Sequence, residues 1–579
     1  MKKMLYFLAL LISPAAFAQS LNWAYSFTNT VVLEQVDDIS GDGNNHFAII
    51  GSGNTGISMD PINGDPAFNS PGGFLAVYNA QPAIQWIKPT IGFASGLKMT
   101  TNGDVYVCGK FSGTVDFDPS AGEYFLSSSG GDAYLQKFDG SGNFQWAINA
   151  STDGYTSEIG VLPNGDILVA GRSDIDAVVT LSDQSTVNLP KGLYLLVFSP
   201  SGSFINAFSI SVPAPAAYMY VYDLTVDNNS NCYLSGTLDG VADFDLGTGE
   251  VNTAQTNGYD AYVVKYNSSF GLEWFKLFGD TNTPVGWDKA RSVSVDASGN
   301  VYAVGEFTWT TDFDPVNPGN FALQSDDNSQ VPSGFILQWT PSGNLNWVKK
   351  IGNNNTTGDS DYASVSILDT YLDGNSLFVA MEGFGYVDVD PSENEVILHD
   401  GSAAYTGIIF GKYSLSGDYQ AAFQISGPNS SVITKGFEKL QQASFATTGT
   451  FQKIVDFDPS DETHLLETDI NGMFYDFDKD IFIARYTFGD PSAINEPTNN
   501  QQVMIYPNPF QQYLSVNNQS QQHIQVMNLY DLQGRLVLTS EYANSLQIPD
   551  VQVGVYTLEI IFDDLSIVRK KVIKQHTGF

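Results

Sequence analysis

Short apolar runs separated by turn residues fill the chain from about residue 20 onward, and one cycle of them returns seven times. The clearest copy begins with Ser292-Val293-Ser294-Val295, turns through Asp296-Ala297-Ser298-Gly299-Asn300 and returns as Val301-Tyr302-Ala303-Val304-Gly305. A longer excursion containing Asp312-Phe313-Asp314-Pro315 follows. Then come Phe335-Ile336-Leu337-Gln338-Trp339, the turn Pro341-Ser342-Gly343-Asn344 and the run Leu345-Asn346-Trp347-Val348. Runs this short, apolar and bounded by Gly, Asn and Ser predict strands. Glycine in the turns supplies the positive φ that a tight reversal requires.

Counted at the position of Gly305, the cycle recurs at Gly51, Gly109, Gly171, Gly236, Met381 and Gly449, in steps of 58 to 76 residues. The third strand of each cycle is expected at Leu75–Tyr78, Ala133–Phe138, Leu193–Phe198, Ala261–Tyr266, Phe335–Trp339, Ile408–Tyr413 and Ile481–Tyr486. Four antiparallel strands per cycle, repeated seven times, predict an all-β fold: a seven-bladed β-propeller over residues 19–487. The seventh cycle stops after Ile481–Tyr486 without a fourth strand, while Leu21-Asn22-Trp23-Ala24-Tyr25 resembles Leu345-Asn346-Trp347-Val348-Lys349. The N-terminal strand is therefore expected to complete the last blade, which removes exposed sheet edges. Two cycles depart from the pattern: the third lacks the acidic excursion motif, and the seventh carries Glu438-Lys439-Leu440-Gln441-Gln442 in place of its Gly-Asn turn.

Both ends read differently. Lys2 and Lys3, the apolar run Leu5 to Ile12 and Ala16-Phe17-Ala18 lay out a secretory signal peptide over residues 1–18, with cleavage between Ala18 and Gln19. That apolar run is shorter than the roughly 20 residues needed to span a bilayer, and no later stretch is long enough either, so no transmembrane segment is predicted. Residues 488–502 have the Gly/Pro/Ser/Asn/Gln composition of a linker. New strands are predicted at Gln512–Val516, Ile524–Tyr530, Leu536–Thr539, Val555–Ile561 and Ile567–Lys574, giving a small Ig-like β-sandwich over 503–579.

Charge narrows the partners. Residues 19–490 hold 18 basic and 56 acidic side chains, the whole formal net charge of −38, whereas the C-terminal segment is nearly neutral. Such a surface repels phosphate backbones, which argues against nucleic acid. Cys108 and Cys232 fall at non-equivalent positions of different cycles, so they are expected to be buried thiols and not a disulfide.

The excursion motif supplies paired aspartates: Asp116 with Asp118, Asp243 with Asp245, Asp312 with Asp314, Asp388 with Asp390 and Asp456 with Asp458, plus a partial copy at Asp60-Pro61. In an extended segment both carboxylates of a pair share one side. Two readings are open. They could supply oxygen ligands to Ca²⁺, or they could accept turn N–H groups while the intervening Phe or Val anchors the loop and proline ends the ladder. Near-universal repetition favours the second, so no cofactor is expected. No G-x-S-x-G, H-E-x-x-H, P-loop or dinucleotide motif occurs, the five histidines (His46, His399, His464, His523, His576) stand singly, and no catalytic residue is assigned.

Two resemblances rest on particular residues. Asp260-Ala261-Tyr262-Val263-Val264-Lys265-Tyr266, then Trp274, then Val295 through Tyr302 is similar to the bacterial β-propeller repeat family called SBBP, which implies the fold but no agreed activity. Tyr506-Pro507-Asn508-Pro509-Phe510, Leu529 through Arg535 with Gly534-Arg535, Gly554-Val555-Tyr556, and Arg569-Lys570-Lys571-Val572-Ile573-Lys574 together resemble the type A C-terminal sorting domain of the type IX secretion system. That resemblance implies the secretion machinery and a sortase as partners, removal of the domain at the cell surface, and cargo that is attached to surface lipopolysaccharide or released. The expected function is a secreted or cell-surface interaction protein displaying a recognition surface to an extracellular protein or glycan. The rival is an extracellular hydrolase or lyase acting on polysaccharide. Trp287 and Trp309 are candidate sugar-stacking rings, or local packing residues.

Overall fold

The computed structural model describes residues 19–27, 35–53, 59–61, 72–151, 154–173, 176–180, 186–212, 218–247, 249–253, 256, 258–280, 286–315, 320–326, 331–353, 363–399, 405–427, 430–441, 444–460, 463–468, 479–488, 503–506, 512–518, 523–530, 536–541, 545–548, 551, 554–562 and 567–574. The proposed signal peptide and nearly all of the proposed linker lie outside them. Every assigned element is a β-strand. Gln19–Phe488 forms one compact unit, and the chain from Gly489 to Phe579 belongs to a second.

Among the described residues the larger unit holds seven sheets built on one plan of four antiparallel strands. In the fifth they are Lys289–Val295, Val301–Phe307, Ser333–Trp339 and Leu345–Ile351. The first two are joined by a turn at Asp296, whose Oδ1 accepts the N–H groups of Ser298 and Asn300 at 2.9 Å each while Gly299 takes φ 82°. The two middle strands are buried at every position. A sheet covered on both faces needs a continuous apolar run, not an alternating one. Accordingly each apolar core is shared by neighbouring sheets, as where Tyr302, Val304 and Ile336 of sheet five meet Val379 and Ile409 of sheet six.

Sheet seven draws its fourth strand from the N-terminus. Gln19–Phe27 pairs antiparallel with Asp480–Phe488, beside Ser444–Phe451 and Val432–Lys439. Phe27, Ile481 and Ile483 of this sheet share a core with Phe47, Ile49 and Tyr78 of sheet one. Tryptophans of the fourth strands tie sheets together: the Nε1–H of Trp86 donates to Gly140 O (3.2 Å), that of Trp146 to Pro200 O (3.2 Å) and that of Trp274 to Pro341 O (3.1 Å), each in the next sheet's turn. Trp23 does the same from sheet seven to Ala80 O of sheet one, at 3.0 Å. The first strands contact one another in succession, and that of sheet seven contacts that of sheet one.

The repeated glycine has a steric cause. At six sheets it pairs with an aromatic residue on the third strand: Gly51 with Phe74, Gly109 with Tyr134, Gly171 with Tyr194, Gly236 with Tyr262, Gly305 with Phe335 and Gly449 with Phe482. A Cβ on Gly305 would sit 1.9 Å from the Lys289 carbonyl oxygen and 2.9 Å from the Phe335 ring. Sheet six changes both partners, pairing Met381 with Ile409. Both cysteines are buried and free.

The smaller unit has a three-stranded sheet (Val503–Tyr506, Tyr513–Asn518, Ser545–Gln547) and a four-stranded one (Leu536–Glu541, Ile524–Tyr530, Gly554–Phe562, Ile567–Lys574). Val503–Tyr506 and Ser545–Gln547 were not expected as strands. Leu514, Met527, Leu529, Leu546, Leu558 and Ile560 form its core.

Candidate functional site

Each first strand of the larger unit carries a β-bulge directly after the residue that faces the repeated glycine, or Met381 in sheet six: at Asp37, Ser95, Ser157, Tyr222, Arg291, Leu368 and Lys435. A bulge places an extra residue on one strand and re-aims its neighbours. In the seven sheets the next residue is Asp38, Gly96, Glu158, Asp223, Ser292, Asp369 and Gly436 in turn. All seven first strands contribute to the lining of one cavity of about 240 Å³. Gly96 has no room for a side chain, since a Cβ would lie 2.3 Å from Ser157 O.

The carboxylates around this cavity bind the neighbouring sheet's backbone. Asp38 Oδ2 accepts the N–H of Leu97 at 2.8 Å, Asp223 Oδ2 that of Val293 at 2.8 Å and Asp369 Oδ2 that of Phe437 at 3.1 Å. Glu438, further along sheet seven's first strand, bonds the N–H of Gly41 and the hydroxyl of Ser40 in sheet one. The Ser292 hydroxyl lies 2.9 Å from Asp223 Oδ2 and 3.1 Å from Asp369 Oδ1. Its single proton serves one carboxylate, so the other contact is completed when that carboxyl is itself protonated.

Burial and mutual repulsion make that protonation accessible. Burial, resisted by N–H bonds and reinforced by Glu438 and Asp369, pushes Asp38 up to about 8. Burial and the charge of Asp223 push Asp369 up to about 7. Burial also raises Glu158 well above the carboxylate range, reinforced by Asp38 and Asp223 and opposed by Lys98. Asp223 and Glu438 shift the same way for the same first cause. A carboxyl whose folded pKa is raised stabilises the fold fully below its unfolded value near 4, and that stability is lost as pH rises through the folded value. The unit should therefore lose stability between about pH 5 and pH 8 to 9. Asp38→Asn keeps an oxygen for Leu97 N–H but carries no charge. Thermal unfolding should show it at least about 1 kcal/mol more stable than wild type at pH 8.5, with a flatter pH profile. A variant less stable at both pH 5 and pH 8.5 would contradict this.

The sequence-predicted aspartates lie elsewhere, in the loops between second and third strands, and hold those loops by N–H bonds. Asp116 Oδ1 accepts the N–H groups of Asp118 (3.1 Å) and Tyr124 (2.8 Å), and Asp243 Oδ1 those of Asp245 (3.1 Å) and Val251 (2.8 Å). Asp388 Oδ1 accepts those of Asp390 (3.1 Å) and Val396 (3.0 Å), and Asp456 Oδ1 those of Asp458 (3.0 Å) and His464 (2.9 Å). Asp312 accepts that of Asp314 at 3.0 Å. The residue between each pair (Phe117, Phe244, Phe313, Val389, Phe457) is buried. Tyr266, Tyr413 and Tyr486 donate their hydroxyls to the carbonyls of Phe244, Val389 and Phe457. Among the described residues no group of three or more His, Cys, Asp and Glu could hold a metal ion. Trp287 is 53% exposed and packs on Tyr259 at 5.3 Å. Trp309 is half-buried, with a left-handed φ of 56°.

Of the expected sorting residues, Tyr506 ends the first strand of the smaller unit, Gly554 and buried Tyr556 open the strand Gly554–Phe562, and Lys570 and Lys571 pair with Leu558 and Thr557. Pro507, Asn508, Pro509, Gly534, Arg535 and the expected cleavage residue Ala18 lie outside the described residues, while Gln19 begins the N-terminal strand. Residues 504–575 match the family described as the secretion system C-terminal sorting domain. The chain carries a sorting tail. The sorting domain implies interaction with the type IX secretion system and indicates export to the cell surface or beyond. No helix among the described residues is long and apolar enough to cross a membrane.

The other similarities are distant. An uncharacterised WD repeat-containing protein of Acanthamoeba polyphaga mimivirus is 23% identical over 238 residues, covering 35% of this chain and 17% of that protein. Solved structures with some likeness include a protein of unknown function from Dyadobacter fermentans (10% identity, 81% of this chain and 98% of that one, TM-score 0.35). Another is an ulvan lyase of polysaccharide lyase family 25 (12% identity, 74% of this chain and 91% of that one, TM-score 0.34).

Proposed function

We propose that residues 19–488 close into a seven-bladed β-propeller of the SBBP kind that acts outside the cell as a rigid display platform for a protein or glycan ligand. Export begins with cleavage between Ala18 and Gln19, the sorting domain carries the chain across the outer membrane, and a sortase removes it. The observation that carries the display reading is the use of the cavity carboxylates: Asp38, Asp223, Asp369 and Glu438 each bind the backbone of the next sheet, Glu438 joining sheet seven to sheet one. Groups so engaged hold the sheets together. The ligand is then met by loops and sheet ends, where several blades can build one surface. In this reading the Asp-x-Asp-Pro loops are turn devices that need no calcium.

A second reading, a polysaccharide hydrolase or lyase, is favoured by Glu158 and Asp38, raised carboxyls facing a cavity, since a general acid works best with a pKa near the working pH. The test pairs glycan-array and pull-down binding by the exported chain with a polysaccharide-degradation assay. Binding without depolymerisation supports the platform. Depolymerisation that disappears in Glu158→Gln establishes the enzyme instead.

A further inference from the structure

Where the first strands of sheets two to five begin, aromatic rings and cations alternate across sheet boundaries. Phe93 pairs across its sheet with Lys110, whose Nζ lies 3.9 Å from the centre of the Tyr155 ring in the next sheet. Tyr155 pairs with Arg172, whose guanidinium lies 4.3 Å from the Tyr220 ring in the sheet after that. Lys191 stands over Tyr218 at 5.8 Å, and Lys289 over Trp287 at 5.5 Å. Tyr259 joins the groups, packed at a tilt on Trp287 and within electrostatic reach of Tyr220, Asp239, Tyr218 and Arg172.

Phe93, Tyr155, Tyr218 and Trp287 are 55, 48, 43 and 53% exposed. Four large rings held out of the core along one edge are costly to leave in water, and such patches mark interaction surfaces. The cations are notable in a unit so acidic, where residues 19–490 hold only 18 basic side chains against 56 acidic ones. Lys289 and Arg291 share Glu306, at 2.5 and 3.0 Å, whereas Lys110 and Lys191 form no ion pair among the described residues.

We propose that this edge binds an acidic polysaccharide, sugar rings stacking on Tyr155, Tyr218 and Trp287 while Lys110 and Lys191 meet the negative groups. Sheets two and three lend Lys110, Arg172 and Lys191 to the rings Tyr155, Tyr220 and Tyr218, Lys289 stands over Trp287, and the complementary ligand is a polymer that presents flat apolar sugar faces and anionic groups. The assignment rests on the display reading and gives it a ligand class.

The test is affinity electrophoresis of the exported chain through gels containing alginate (carboxylated), chondroitin sulfate (carboxylated and sulfated) or neutral dextran. Retardation by alginate, by chondroitin sulfate or by both, but not by dextran, is expected, and it should weaken as salt rises. Retention by alginate places the carboxylate as sufficient; retention by chondroitin sulfate alone places the sulfate as the recognised group. Trp287→Ala and Lys191→Gln, both at exposed positions or on loop edges away from the core, should each weaken binding about tenfold. Passage unretarded through both acidic gels, equal retention by dextran, unchanged binding in both variants, or capture of a protein ligand alone would overturn the proposal. Any of these with the chain folded and exported removes only the ligand class, whereas depolymerisation of the gel polymer removes the display reading beneath it.

Discussion

A chain ending at Gln502 should fold and stay in the periplasm. Gln19–Phe488 has its own shared cores and closes its last sheet with its own N-terminal strand, and among the described residues its hydrogen-bonded sheets use no strand of 503–579. Its melting temperature should stay within about 2 °C of the transition of the same unit in the full chain. Delivery should fall from nearly complete to background in fractionated cells. Leu558→Asp places a carboxylate in the core of the sorting domain beside Leu529 and Ile560, which costs several kcal/mol on an order-of-magnitude scale, and should abolish delivery equally if the machinery reads a folded domain. Unchanged delivery of the truncated chain would refute the sorting role.

Gly305→Ala should cost about 2–4 kcal/mol, far more than an ordinary glycine replacement in a strand. The methyl would meet a backbone carbonyl at 1.9 Å and an aromatic ring at 2.9 Å, and only the ring can be moved by a side-chain change. The natural exchange in sheet six, Met381 facing Ile409, shows which partner yields. Phe335→Ile should therefore recover part of the loss in the double variant, with a coupling energy of about 1 kcal/mol, while the Lys289 carbonyl keeps the rest. Urea denaturation of the full chain measures all four corners of the cycle. A single variant within about 0.5 kcal/mol of wild type would show that the first strand yields more readily than its bulge implies.

The repeat was legible because its physics is local. Strand-length apolar runs announce each sheet, and Gly-Asn turns announce several, so the first-to-third strand pattern around Gly305 and the strands Ile524–Tyr530 and Ile567–Lys574 were placed as found. The short hairpins inside the excursions, such as Ile454–Asp456 with Leu465–Glu467, were not, because three-residue strands carry too little pattern. The acidic cavity was missed for a different reason. Asp38, Glu158 and Asp223 stand equally far ahead of Gly51, Gly171 and Gly236, a signal present in the sequence. It is invisible beside dozens of other acids until the bulges show that this row faces inward. The paired aspartates of the excursions drew attention by their regularity, and that regularity reflects how each loop satisfies its own N–H groups.

The pairing of Gln19–Phe27 with Asp480–Phe488 also sets an order of events. Gln19–Phe27 is joined to a partner made some 450 residues later, by the count of the sequence. Until that partner arrives, both strand edges stand open, and contacts so distant along the chain form slowly. The sorting domain is made later still, so the larger unit can complete itself before its address is readable. A cell that exports it must then keep a long, unclosed, edge-exposing chain from sticking to its neighbours, and that waiting time, more than the finished fold, is where this molecule is vulnerable.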